Sequence, residues 1–184
     1  TSYGRLGMGI VFVGGVHAVG KTTACEQAAS EVGAAHATAS RLIKSERADA
    51  IPDRGKSVLD VVDNQRLLIR AVARLRELES RDIILDGHFA IPNTQGGIDS
   101  VHFDVFRTMG ITAAVVYCDD PAAIAARLSA RDTQLWTKEA IATLQEAEIQ
   151  QARHVTTVLG IPLLVLNAFD SASLVKAIRE WRAT

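Results

Sequence analysis

A chain of 184 residues is long enough for one well-buried domain and short for two. Its 48% apolar and 22% charged residues are ordinary globular composition, and a formal net charge of −1 offers no basic surplus for duplex nucleic acid or an anionic membrane. No run of ~18 apolar residues predicts a transmembrane helix.

The opening TSYGRLG fits neither a signal peptide nor the fold, so residues 8–184 are expected to form a single domain after a tag remnant or disordered N-terminus. Four nearly continuous apolar runs read as strands of a parallel sheet covered on both faces: 9–13, 82–86, 112–118 and 162–166. A weaker strand is placed at 34–38. Residues 21–32 read as a helix stopped by Gly33. Val58, Val61, Leu68, Val72 and Leu75 mark the apolar stripe of a long second helix. A third begins at Pro121 behind an Asp120 cap, and two more occupy 137–160 and 170–183. The alternation predicts an α/β fold, doubly wound, with a five-stranded parallel sheet and helices on both faces. Cys25 and Cys118 lie far apart and outside metal-ligand spacing, and both read as small core residues in a reduced, cytoplasmic chain.

Between the first strand and helix, Gly15-Val16-His17-Ala18-Val19-Gly20-Lys21-Thr22 matches G-x-x-x-x-G-K-[ST] without a mismatch. Such a loop turns successive N–H groups around phosphate oxygens, and the following helix adds its positive dipole end. Gly15, His17, Ala18, Val19, Gly20, Lys21, Thr22 and Thr23 are therefore the expected ATP-binding segment, His17 being a surface position. Lys21 would reach the β- and γ-phosphates, and Thr22 would be a magnesium ligand. Asp86, after three apolar residues, is the second expected magnesium-side acid, acting through water. Absence of D-x-x-G, N-K-x-D and L-S-G-G-Q sets aside the usual GTPases and ABC ATPases. Chain length sets aside AAA+ modules with their helical lid.

ILDGHF (84–89) and RLSARD (127–132) resemble the L-D-G-F-P-R and R-L-x-x-R segments of the nucleoside monophosphate kinases. Asp86-Gly87-His88 and the short stretch between Arg131 and Lys138 are similar to archaeal-type adenylate kinases and the eukaryotic nuclear adenylate kinase/ATPase, over residues 9 to 181. The resemblance implies an adenylate kinase-like P-loop fold and an acceptor site containing Thr38, Ser40, Arg41, Gln65 and Gln95. It also implies that Asn167 passes the donor adenine. From the residues themselves, Gln65 interrupts an apolar stripe and needs a polar partner, either a nucleotide or a neighbouring side chain.

Phosphoryl transfer needs positive charge around the moving group, and Arg127 and Arg131, four apart on one helix face, are the candidates, with Arg153 a third. Lys44, Arg47, Arg54, Lys56, Arg66, Arg70 and Arg74 read as solvated faces. One departure is Ala90, which stands where the common kinases grip the acceptor phosphate with arginine; Arg41 or Lys44 would have to replace it. A second is His88. A phosphate acceptor needs no general base, whereas a hydroxyl or a water does. His88 therefore either orients a nucleophile or hydrogen-bonds to the following loop, 89–97. The polar, glycine-rich loop 90–100 is a candidate acceptor lid. His36, His102 and His154 fall in no motif.

The expected activity is transfer of the γ-phosphate of MgATP to a small acceptor, a nucleoside monophosphate first. Lys21, Asp86, His88, Arg127 and Arg131 are the catalytic candidates. The alternatives are an ATPase coupled to a macromolecular partner, a kinase of a small-molecule hydroxyl, and a non-catalytic ATP sensor. Mg2+ is the expected cofactor. No nucleic-acid or membrane partner is evident, and a homo-oligomer is open.

Overall fold

The computed structural model describes residues 9–49, 61–131 and 136–184. The expected N-terminal remnant, Val58, Arg54 and Lys56 lie outside them. So does most of the short stretch before Lys138.

Strand β1 (Ile10–Gly14) is buried along its whole length. It lies between β3 (Ile83–Asp86) and β6 (Ile111–Cys118), and pairs parallel with both. With β2 (Ala35–Thr38) and β7 (Leu163–Asn167) at the edges, the sheet order is β2-β3-β1-β6-β7, all parallel. This is the five-stranded α/β architecture expected from the sequence. The strands are continuous apolar runs because alternate residues face different cores. Val11, Val13, Ile84 and Val115 pack with α1 (Lys21–Val32) and α7 (Ser171–Ala183). Ile10, Phe12, Leu85 and Val116 pack with Leu68 and Val72 of α3 (Val61–Leu78) and with α4 (Phe103–Met109).

Helix ends follow local chemistry. Gly33 takes the left-handed conformation past α1, at φ 68°. Asp120 caps α5 (Pro121–Ser129) by accepting from Ala123 N–H, with Pro121 in the first turn. Helix α2 (Ala39–Asp49) precedes α3; buried Glu46 on α2 pairs with Arg70 and Arg74 across that junction, so these arginines tie two helices together rather than forming a simply solvated face.

Helix α6 (Lys138–Leu159) changes sides along its length. Its Ile141 and Leu144 belong to the α1 core, whereas Ala152 and Val155 belong to the other. Glu148 lies between them, at the edge of the sheet from which the P-loop departs.

Three features differ from the sequence reading, the first being helix α2 between the expected strand at 34–38 and the long second helix. The glycine-rich stretch 90–100 is an antiparallel hairpin, β4 (Ala90–Pro92) and β5 (Ile98–Ser100), rather than a loop. Asn93 closes its turn: the side-chain oxygen accepts from Gln95 and Gly97 N–H, and Nδ2 donates to Asp99 at 3.0 Å. The short helix α4 has too few residues to show a period, and it begins where the His102 side chain accepts from Asp104 N–H.

Phe12 meets Phe89 and Phe106 edge-on at 4.9 and 5.0 Å, all three rings buried. Phe12→Ala is expected to cost about 3–5 kcal/mol, read as a lower urea midpoint at unchanged m-value.

Candidate active site

The β1–α1 loop is held from below by Val16 and Val19, both fully buried, so that its remaining residues arch over the sheet edge. Gly20, at φ 90°, admits no side chain: a Cβ there would lie 2.4 Å from the Phe169 ring. Helix α1 then starts without a side-chain cap and with no acidic residue in its first turn. Its leading N–H groups are left to an anion.

Lys21 is 6% exposed and its Nζ lies 3.9 Å from Asp86 Oδ1. Burial lowers the Lys21 pKa, against the opposing pull of Asp86 and Glu148. Asp86, at the C-terminal end of β3, is 2% exposed and accepts from the Thr22 hydroxyl at 2.5 Å. Burial pushes its carboxyl upward, but the nearness of His36, the Lys21 charge and the Thr22 hydroxyl outweigh it and hold the group below the usual carboxylate range. A hydroxyl and a carboxylate side by side at the foot of a phosphate-binding loop are hard oxygen donors, and they fit a magnesium ion arriving with a nucleotide.

Two clefts open from this point. The smaller, about 220 Å³, is walled by His17, Ala18, Gly20, Lys21, Thr22 and Thr23 with Arg127, Arg131 and Phe169. The structure thus brings the two expected arginines to the P-loop. Arg127 is held by Asp119, Nη2 to Oδ2 at 2.5 Å, and its Cζ lies 5.3 Å from the Phe169 ring centre. Its Nε is buried without a hydrogen-bond partner. Arg153 is exposed and lines neither cleft. Asn167, at the end of β7, is exposed and stays off the lining; Phe169 occupies that wall instead.

The larger cleft, about 810 Å³, runs from Lys21, Thr22, Asp86 and His88 between α2–α3 and the β4–β5 hairpin. Thr38, Ser40, Asn64 and Gln65 line one wall, and Asn93, Thr94, Gln95 and Asp99 the other. Phe106, Met109 and Ile91 add apolar surface. Of the expected acceptor residues, Thr38, Ser40, Gln65, His88 and Gln95 meet here. Arg41 and Lys44 do not: both are exposed and off the lining. Ala90 is buried in β4. Lys21 is therefore the sole lysine or arginine among the described lining residues.

His88 bonds not to the loop that follows it but to Glu148, with Nδ1 2.7 Å from Oε1. The other oxygen of Glu148 accepts from Phe89 N–H at 2.7 Å. Glu148 is 0% exposed. Its partner His88 also meets the P-loop side chain His17, ring centres 4.4 Å apart. The sequence reading missed Glu148, although a signal was present: it falls on the apolar stripe of α6, four residues after Leu144 and four before Ala152.

A P-loop on a five-stranded parallel sheet, with an acid at the end of the neighbouring strand, defines a P-loop nucleotide-binding fold. A family model described as an AAA domain matches residues 14–145, and the chain belongs to that family. This corrects the exclusion made on chain length, which concerned a helical lid. The matched span runs from the end of β1 into α6. The fold is similar to those of a gluconokinase from Sinorhizobium meliloti 1021 (18% identity, TM-score 0.55, covering 96% of this chain and 92% of that one) and a shikimate kinase from Bacteroides thetaiotaomicron (16%, 0.56, 96% and 99%). A sugar kinase from Janibacter sp. HTCC2649 is also similar (18%, 0.53, 95% and 94%). A search of the curated proteins finds no match. No helix among the described residues is long and apolar enough to cross a membrane.

Two outcomes are expected. Glu148→Ala strands the buried Phe89 N–H and should cost about 1–3 kcal/mol of stability, with Glu148→Gln recovering part of it in denaturant melts. Because folding lowers the Asp86 pKa, its stabilisation is complete above the ordinary carboxylate value (~3.9) and is lost as pH falls through the lower folded value. Asp86→Asn should flatten that acid limb in melts taken against pH.

Proposed function

We propose that this chain is an ATP-dependent phosphotransferase that moves the γ-phosphate of MgATP to a hydroxyl group of a small polar acceptor, with residues 8–184 acting as one catalytic domain. The observation that carries the reading is the His88–Glu148 pair at the inner end of the larger cleft. The buried carboxylate accepts Nδ1–H of His88, which leaves Nε2 with its lone pair as a general base. A base is useful to a hydroxyl and superfluous to a phosphate.

The cleft lining supports the same choice. Thr38, Ser40, Asn64, Gln65 and Asn93 suit hydroxyl groups, and Asp99 would repel an anionic acceptor. A nucleoside monophosphate, the acceptor first expected, would find Lys21 as the sole lysine or arginine among the described lining residues, and Lys21 also serves ATP.

In this mechanism the P-loop N–H groups and Lys21 hold the β- and γ-phosphates, and Arg127 and Arg131 add positive charge from the smaller cleft. Magnesium, held through Thr22 and Asp86, would offset charge on the phosphate oxygens. The acceptor oxygen bonds to the γ-phosphorus while the bond to the β–γ bridging oxygen breaks. The hydroxyl proton passes to His88 Nε2, Glu148 stabilises the resulting imidazolium, and ADP leaves.

The test is ADP formation from MgATP with a panel of sugars, sugar acids, polyols and nucleoside monophosphates, beside an acceptor-free control that reads phosphate. A hydroxyl acceptor should raise turnover and yield a phosphate monoester, and Lys21→Ala should serve as the blank. His88→Ala should lower kcat by about 10²–10⁴-fold with the KM for ATP little changed. A diphosphate product from a nucleoside monophosphate, with rate insensitive to His88→Ala, would overturn the reading. Phosphate release alone, lost in His88→Ala, would make the protein an ATPase.

A further inference from the structure

Cys25 and His36 have no part in the reaction just described, yet the fold brings both to the same carboxylate. Cys25 sits one turn into α1 beyond Lys21, on the side packed against the sheet. His36 and Thr38 are alternate residues of β2, so their side chains leave the same face, and their partners on β3 are Ile84 and Asp86. Ile84 packs in the core that contains Cys25. Cys25 Sγ, an imidazole nitrogen of His36 and an oxygen of Asp86 consequently lie within 4.8 Å of one another.

Three features suit a metal ion. Cys25 is a buried free thiol. His36 Nε2 is buried with no hydrogen-bond partner, 3.8 Å from Asp86 Oδ2, too far for a hydrogen bond. Ligands around a tetrahedral cation at ~2.0–2.3 Å stand ~3.3–3.7 Å apart, so the three atoms need close by no more than about 1.5 Å. His36 can move that far because β2 is an edge strand. A thiolate, an imidazole and a carboxylate favour zinc over magnesium or calcium, and they leave a fourth position for water. Entry is through the larger cleft, which Asp86 lines.

We propose that Cys25, His36 and Asp86 bind a zinc-type divalent cation, and that its binding withdraws Asp86 from the nucleotide site and weakens MgATP binding. On binding, the Cys25 thiol loses its proton to solvent and the sulfur lone pair forms the metal bond. The Asp86 oxygen that accepts from Thr22 is the one facing His36. A metal there competes directly with the Thr22–Asp86 arrangement. The metal site is independent of the phosphotransfer reading; the effect on MgATP rests on that reading's role for Asp86.

Cobalt(II) is the probe, added to the whole chain freed of metal. One equivalent should give visible ligand-field bands and a thiolate-to-cobalt charge-transfer band, both erased by one equivalent of zinc. Cys25→Ser should lose the charge-transfer band, Cys118→Ser should keep it, and His36→Gln should weaken cobalt binding about tenfold or more. Circular dichroism checks each variant. If Cys25→Ser does not fold, His36→Gln and Cys118→Ser decide. No charge-transfer band at saturating cobalt, a band that survives Cys25→Ser, one that is lost with Cys118→Ser, or unchanged affinity in His36→Gln would overturn the site. Zinc-loaded protein should bind a fluorescent MgATP analogue about tenfold more weakly than the metal-free protein, and His36→Gln should remove the difference. Equal affinities would overturn the withdrawal of Asp86. Metal-free protein with no affinity for MgATP would overturn the phosphotransfer reading and leave the metal site standing.

Discussion

The carboxylate of Glu148 is the group on which the arrangement of this site depends. It is a potential negative charge with no access to water, and such a group persists only when its oxygens are fully engaged. One oxygen takes the His88 ring and the other the Phe89 N–H, so two consecutive residues after β3 are fixed from a helix sixty positions away. That contact sets the imidazole at the inner end of the cleft and turns the Phe89 ring onto Phe12 and Phe106. It also explains a bare position in β1. A Cβ on Gly14 would lie 2.4 Å from the Phe89 ring and 3.3 Å from Glu148 Oε2.

The clefts divide the electrostatic labour. Positive charge gathers at the smaller one, where Lys21, Arg127 and Arg131 meet an uncapped helix start. The larger is lined by amides, hydroxyls and apolar side chains, and its carboxylate Asp99 lies on the hairpin away from the P-loop. Asp86 and Lys21 stand at the junction, both buried; Asp86 is the chief neighbour favouring the Lys21 charge, whereas His36 first and Lys21 second favour that of Asp86.

Much of the fold was legible because its signals are local. Apolar runs marked the five sheet strands, Asp120 and Pro121 marked the start of α5, and Gly33 the end of α1. The P-loop, Asp86, Arg127 and Arg131 could be picked out for the same reason. What stayed hidden depends on contacts distant in the chain. Phe169 covers Gly20 because β7 ends beside the P-loop, which its own neighbours do not reveal. The hairpin rests on the side-chain bonds of a single asparagine. Cys25 and His36 look unrelated eleven residues apart; parallel pairing of β2 with β3 is what sets the histidine against Asp86. Asn167 and Arg41, expected at the site from a family resemblance, are exposed and off the lining of both clefts.

Helix α6 passes from one face of the sheet to the other as a single rod of 22 residues, ~33 Å long. The histidine it anchors is thereby referenced to both cores at once, whereas the outer walls of the larger cleft hang on a three-residue-stranded hairpin and on the start of α2 and α3. A change in those walls would therefore leave the P-loop and the seat of His88 in place, since neither is built from them.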